Sequence, residues 1–231
     1  MFQGAGRTSE ESVPVRDDMK NPGSYSYAVP TRKLERPVQM VHCNGWIERD
    51  YAYLLEFDPM VLSYEEQPCK ISYIFDQKKR SYTPDFAVYW RHQLPSLVEC
   101  KPVSKLNDPE NLRKWTAARL WCDQHHYNFV LVTDVALRER SSLLSNIKLL
   151  AGHGHQHITP QAKEYLLRTV QGVNGALSIA ELVARMVELT PKLNPNFVRS
   201  CVWHLLYTGE LATDLTKPLN TMTTLVWFPM E

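Results

Sequence analysis

The chain has 231 residues, 26 lysines and arginines against 25 aspartates and glutamates, and 44% hydrophobic residues. That is enough apolar content for one or two domains with real cores, while a net charge near +1 argues against a protein that binds nucleic acid unaided, which carries a basic excess to displace counterions from phosphate. No apolar run approaches the ~18 residues of a membrane span, and the first residues lack the basic-then-apolar layout of a secretory signal. Cys43, Cys69, Cys100, Cys122 and Cys201 are odd in number and scattered, so neither a disulfide framework nor a zinc ribbon is indicated. Reduced thiols in the cytoplasm are expected.

Residues 1–30 mix Ser, Glu, Asp, Gly and Pro without periodicity and read as a flexible arm. Arg32, Lys33 and Arg36 follow, a segment suited to tracking DNA or a partner, or else a leader with no role of its own. Residues 45–57 read as a helix, with Ile47, Tyr51, Leu54 and Leu55 at helical spacing and Asn44 as N-cap. Steps of three and four from Glu48 reach Ala52 and Leu55, so Glu48 lies on or beside the apolar face. A carboxylate aimed at a sheet needs a partner. Favourable charge near the helix N-terminus, an ion pair with an arginine, and a metal site all satisfy that need.

Two short runs carry the chemistry. Tyr82-Thr83-Pro84-Asp85-Phe86 reads as a strand and Leu97-Val98-Glu99-Cys100-Lys101 as its hairpin neighbour, with the turn at His92-Gln93-Leu94-Pro95-Ser96. Alternation along a strand points Glu99 and Lys101 the same way, about 7 Å apart, and the hairpin carries Asp85 back beside them. Two carboxylates, with the Cys100 carbonyl as a further oxygen, suit a hard cation such as Mg²⁺. Such an ion acidifies a bound water and stabilises phosphate charge, while an ammonium at Lys101 orients the nucleophile or the phosphoryl oxygens. Phosphodiester hydrolysis is the implied reaction. Lys78-Lys79-Arg80, just upstream, reads either as a DNA-backbone contact near the cut or as a solvated turn.

Further along, Asp108 caps a helix with Pro109 at its first position, running to about residue 124 through Leu112, Trp115, Ala118, Arg119 and Trp121. A buried-type strand follows at 127–132 and a helix at 135–150, an alternation that suits a mixed sheet flanked by helices. His125 and His126 end a helix, where a cation complements the dipole. His153, His155 and His157 alternate in a cluster that resembles zinc ligands but has no Cys or fourth ligand nearby, and an interdomain linker is the expected role. Beyond it, Thr159-Pro160 opens a helix closed by Gly172, Ser178 and Glu181 form a capping box, and Asn194-Pro195 opens a helix ended by Gly209. Strands at 211–215 and 223–228 with a turn at 217–220 complete a winged-helix pattern. Its third helix, 196–208, carries Arg199, Trp203 and His204 but no basic face, so protein docking is expected over DNA reading, with Trp203, Leu205 and Leu206 in the core.

Taken in order, Glu48-Arg49-Asp50-Tyr51, Leu54-Leu55-Glu56-Phe57-Asp58-Pro59, Tyr64-Glu65-Glu66-Gln67-Pro68, Tyr82-Thr83-Pro84-Asp85-Phe86 and Val98-Glu99-Cys100-Lys101 resemble the TnsA-type endonuclease subunit of heteromeric transposons, Tn7-like or CRISPR-associated, over residues 41–132. The resemblance implies an α/β fold with a restriction-endonuclease-like PD-(D/E)XK core, a winged-helix-like C-terminal domain, and Glu48, Asp85, Glu99 and Lys101 as the active-site set. Relatives often carry Gln where Glu99 stands; a glutamate there adds charge to the metal site. It further implies 5′-strand cleavage at transposon ends, a TnsB-type DDE transposase that cuts and joins the 3′ strands, and a TnsC-type AAA+ ATPase engaged through the C-terminal part.

The resulting expectation is a Mg²⁺-dependent DNA endonuclease, Mn²⁺ substituting, with Glu48, Asp85, Glu99 and Cys100 as metal ligands. The expected domains are an arm at 1–30, the nuclease at 31–151, a linker at 152–158 and the winged-helix-like domain at 159–231. A free-standing restriction or repair nuclease, and an inert winged-helix adaptor, are the alternatives.

Overall fold

A computed structural model describes residues 26–33, 40–154, 156–173 and 175–229. Its contacts divide the chain into two compact units, Met1–Glu139 and Arg140–Glu231. Among the described residues no helix is long and apolar enough to cross a membrane.

In the first unit β1 (Tyr27–Pro30) pairs antiparallel with β2 (Met40–Cys43), Val29 opposite Val41, both fully buried. Four residues of the expected arm are therefore strand, because Tyr27 and Val29 give the end of that polar stretch a period-two edge. Residues 1–25 and Arg36 lie outside the described residues. Arg32 and Lys33 are occupied locally. Glu56, near the end of α1 (Trp46–Phe57), accepts hydrogen bonds from Thr31 Oγ1 at 2.8 Å and from Arg32 N and Nε at 3.0 and 3.2 Å. Lys33 Nζ donates to the carbonyls of Leu55, at 2.8 Å, and Asp58. Both cations thus fasten the C-terminal end of α1, whose last carbonyls need donors.

Four strands, in the order β3 (Val61–Glu66), β6 (Phe86–Trp90), β7 (Ser96–Lys101) and β8 (Asn128–Thr133), form the central sheet. The first three are antiparallel, and β8 returns parallel to β7 after α2 (Pro109–His125). This mixed sheet with helices fits a restriction-endonuclease-like fold. Phe86 and Val98 pair in register and face α1, where Tyr51 meets Phe86 edge-on at 5.9 Å. By alternation, Leu97, Glu99 and Lys101 face the other side, where Leu97 joins Trp115, Ala118 and Cys122 of α2 in one core. Each such large apolar side chain contributes about 1.5–3 kcal/mol on burial.

α2 begins as expected, with Asp108 Oδ1 accepting from Glu110 N at 2.9 Å and Pro109 at the first position, and it ends on His126 in the left-handed region. Two expectations need correction. The basic run is neither a turn nor the approach to one long strand: it lies in β5 (Lys78–Tyr82), paired with β4 (Ile71–Phe75) in a separate hairpin. The turn is at Asp76 and Gln77, with φ of 49° and 58°, the two left-handed residues of a type I′ turn. The run from Tyr82 to Phe86 is likewise broken, since Thr83, Pro84 and Asp85 lie between β5 and β6; a proline has no N–H for the ladder.

The expected single helix at 135–150 is two: α3 (Asp134–Arg138) and α4 (Ser141–Ala151). Nothing apolar in Arg138-Glu139-Arg140-Ser141-Ser142 holds the junction to a core. α4 belongs to the second unit and packs on α7 (Pro195–Thr208), so the packing divides the chain ahead of the expected domain limit at residue 151. Asn146 of α4 donates to the Leu215 and Lys217 carbonyls at 2.8 and 2.7 Å and accepts from Leu219 N at 3.2 Å. α5 (Pro160–Gln171) and α6 (Ile179–Leu189) start at their expected caps, including the Ser178–Glu181 capping box. The expected strand at 211–215 is reduced to a bridge, Ala212 with Trp227, because Asp214 turns the chain by accepting from Thr216 N at 3.0 Å while Asn146 holds the loop beyond. β10 (Leu225–Val226) pairs instead with β9 (Leu177–Ser178).

Candidate active site

Asp85, Glu99 and Lys101 line one cavity, together with Tyr82. Backbone pairing places them. Asp85, one residue ahead of β6, donates its N–H to Val98 O at 3.0 Å and accepts from Gln67 N at 2.9 Å, so the break at Pro84 closes into the sheet at this residue. Its Oδ2 accepts from Cys100 N at 2.7 Å. Lys101 Nζ donates to Glu99 Oε1 at 2.8 Å, and the Tyr82 hydroxyl donates to Glu99 Oε2 at 2.6 Å. Glu99 is 3% exposed and both its oxygens are held, so its carboxylate has one orientation.

Glu48 approaches from α1 and is not in the cavity lining. Its Oε2 accepts from Asn44 N at 2.8 Å, which makes Asn44 a backbone donor, with Gly45 at the N-cap position. The glutamate therefore serves the helix start, yet its charge also reaches Asp85, Cys100 and Lys101. The Cys100 side chain lies on the Val98 side of the sheet by alternation, and burial, with the Asp85, Glu48 and Glu99 charges adding to it, pushes its thiol well above the usual range.

Asp85 is the electrostatic centre of the site. Burial pushes its carboxyl well above the ordinary aspartate range, and Glu99 and then Glu48 push it further; the Cys100 N–H and the Lys101 ammonium oppose. At Lys101 burial works against the charged form, but the Glu99 ion pair, with Asp85 and Glu48, outweighs it and raises the amine. Asp85 and Glu99 thus share a partly dry pocket with Lys101, and Glu48 adds its charge from outside the cavity lining, an arrangement characteristic of functional sites.

Among the described residues no three His, Cys, Asp or Glu side chains converge closely enough to hold a metal ion, since Lys101, Tyr82, Cys100 N–H and Asn44 N–H each hold a carboxylate oxygen. The donor chemistry nevertheless fits a hard cation: the side chains offered at the cavity are carboxylate oxygens, and a divalent ion would relieve the like-charge repulsion that Glu99 and Glu48 exert on Asp85. Of the other candidates, His125 donates from Nδ1 to Trp121 O at 2.7 Å and stacks on that indole at 4.0 Å. The His153 carbonyl accepts from His204 Nδ1 at 3.0 Å, and burial, with His204, lowers the His153 pKa; His155 lies outside the described residues.

Sequence reasoning missed Tyr82, Lys70 and Lys114 in this cavity. Tyr82 was legible only as an aromatic strand residue, and nothing in its identity announces a bond to a carboxylate seventeen positions on. Lys70 and Lys114 come from the loop before β4 and from α2, and only the folded chain unites them.

Comparison with known proteins agrees with the geometry over part of the chain. No curated protein matches the sequence. Residues 58–134 match the family model described as "TnsA-like endonuclease N terminal". That span holds Asp85, Glu99, Cys100 and Lys101 and stops short of Glu48, so this third of the chain is similar to the N-terminal domain of TnsA-like endonucleases.

Proposed function

We propose that the protein is a metal-dependent DNA endonuclease subunit of a heteromeric transposase, hydrolysing the 5′ strands at transposon ends. The observation that carries this reading is the joint placement of Asp85, Glu99 and Lys101 in one cavity, with Asp85 desolvated beside like charge. Glu48, Asp85 and Glu99, with the Cys100 carbonyl, would hold Mg²⁺, and Mn²⁺ would substitute. Bound there, the ion supplies Lewis acidity toward the phosphate and a more acidic water. Lys101, kept protonated by its pairing with Glu99, orients the attacking water or a phosphoryl oxygen and stabilises developing charge. Tyr82 fixes the face that Glu99 presents.

Near-neutral charge supports recruitment by partners: a TnsB-type DDE transposase that brings the transposon ends, and a TnsC-type AAA+ ATPase that docks on the winged-helix-like second domain. On α7, Arg199 donates to Asn196 Oδ1 at 2.6 Å, and Trp203, Leu205 and Leu206 are buried, which favours a protein-facing domain over a DNA-reading helix.

Strand-mapped cleavage of labelled transposon-end DNA in Mg²⁺, with and without the cognate transposase, tests the reading. Cuts on the 5′ strand that require both the transposase and Asp85 are expected. Cutting by this chain alone would make it a free-standing nuclease, and strand joining without any 5′ cut, indifferent to Asp85→Ala, would make it an adaptor.

A further inference from the structure

The cavity that holds Asp85, Glu99 and Lys101 has a second set of walls. Lys70, Ser81 and Thr83 come from the base of the β4–β5 hairpin, and Lys114 comes from α2. Its volume of about 270 Å³ is several times the ~30 Å³ share of a water, so it accepts a group larger than a hydrated ion. The walls are rigid, because Ile71 and Tyr82 at the same hairpin base are packed into the core with Trp115, one residue beyond Lys114.

Lys70 is exposed and, among the described residues, has no ion-pair partner. Lys114 Nζ reaches Glu110 Oε1 at 2.6 Å, but Glu110 is 61% exposed, so water screens this pair and an anion of higher charge density displaces the carboxylate. Neither lysine has a structural task comparable to that of Lys33 or Arg32. Lys79 lies on the same hairpin face as Ser81 by alternation and is exposed, continuing the basic line away from the cavity.

We propose that Lys70 and Lys114 form a phosphodiester subsite, holding DNA backbone phosphates adjacent to the one cut at Asp85, with the Ser81 and Thr83 hydroxyls as neutral donors. The inference rests on the nuclease reading and deepens it: the substrate enters between the hairpin base and α2. Two separate elements then clamp the strand, and its position is set by phosphates, without base readout.

The test is the salt dependence with which the full-length chain joins a complex of the cognate transposase and a fluorescein-labelled transposon-end duplex, with Ca²⁺ replacing Mg²⁺. Each lost phosphate contact lowers the log–log salt slope by about 0.9. Lys70→Ala with Lys114→Ala is expected to lower it by about 1.8, so that raising salt from about 50 to about 200 mM costs the double variant about tenfold less affinity than wild type. Lys192→Ala, an exposed lysine of the second unit, leaves the slope unchanged. A double variant with the wild-type slope, or no binding by wild type at the lowest salt, overturns the subsite. If that occurs while cleavage still depends on Asp85, the nuclease reading stands without it; cleavage that survives Asp85→Ala overturns both.

Discussion

Among the described residues every buried carboxylate belongs to Met1–Glu139, namely Asp50, Glu56, Glu66 and Glu99, with Asp85 half-buried, whereas the buried polar side chains of Arg140–Glu231 are the neutral Asn146, Ser178 and Thr224. Within the first unit the carboxylates divide again. Glu56 is met by Thr31, Arg32 and Tyr64, all donors, and its charge closes a loop onto a helix. Asp85 instead feels the like charges of Glu99 and Glu48, while Lys101 pairs with Glu99. Opposite partners around a buried charge indicate architecture; like partners around it point to a functional group, for which the proposed ligands are a cation and a phosphate.

The contrast breaks most sharply at Asp85. Asp85→Ala should lower cleavage by about 10³-fold or more, the loss of several kcal/mol of charge stabilisation. It empties no large apolar volume, so the melting temperature should stay close to wild type; a melting temperature that collapses with activity would make Asp85 structural. Leu205→Ala probes the other unit. Leu205 is fully buried in α7, so truncation should cost about 2–5 kcal/mol in chemical denaturation. Cleavage per folded molecule, measured with DNA and transposase present, should be unchanged.

Tyr82→Phe removes one hydrogen bond to a charged acceptor and nothing else. It should reduce cleavage by about tenfold to a hundredfold, corresponding to ~1.5–3 kcal/mol, and an unaffected rate would show that Lys101 alone orients Glu99. The smallest effect is in pH. Asp85 has a raised folded pKa, so the folded state binds its proton more tightly; the stabilising contribution is complete in acid and is lost as pH rises through that value. Metal-free protein should therefore lose stability through this window, and Asp85→Asn should flatten the loss. Asp214 of the second unit, held down to about 2 by hydrogen bonds from Thr216 and Lys217, has the opposite sign: its contribution is present above the ordinary aspartate range and disappears as pH falls toward that value. Thermal melts across pH distinguish the two.

How much of this was legible differs by level. The Asp85, Glu99 and Lys101 triplet followed from a period-two count and one hairpin, since local spacing alone sets which face each side chain takes. The caps at Asp108, Ser178 and Asn194 were legible for the same reason: a cap is a contact within three residues. Features set by distant partners were not. Arg32 and Lys33 looked like free basic charge, and only the approach of α1 shows them bonded to Glu56 and to the carbonyls of Leu55 and Asp58. The expected strand at 211–215 had strand composition, yet Asn146, some seventy residues away, holds the loop out of the ladder. Glu48 sits between these cases. Its helical face was readable, but whether it serves the helix start or the site is not an alternative in the folded chain, where it bonds Asn44 N and acts electrostatically on Asp85.

Calorimetric titration of Mn²⁺ into the metal-free full-length protein and into Asp85→Ala at neutral pH tests the central claim most directly. The account predicts saturable binding to the wild type and its loss in the Asp85→Ala protein at unchanged secondary structure. Equal binding by both proteins would contradict it.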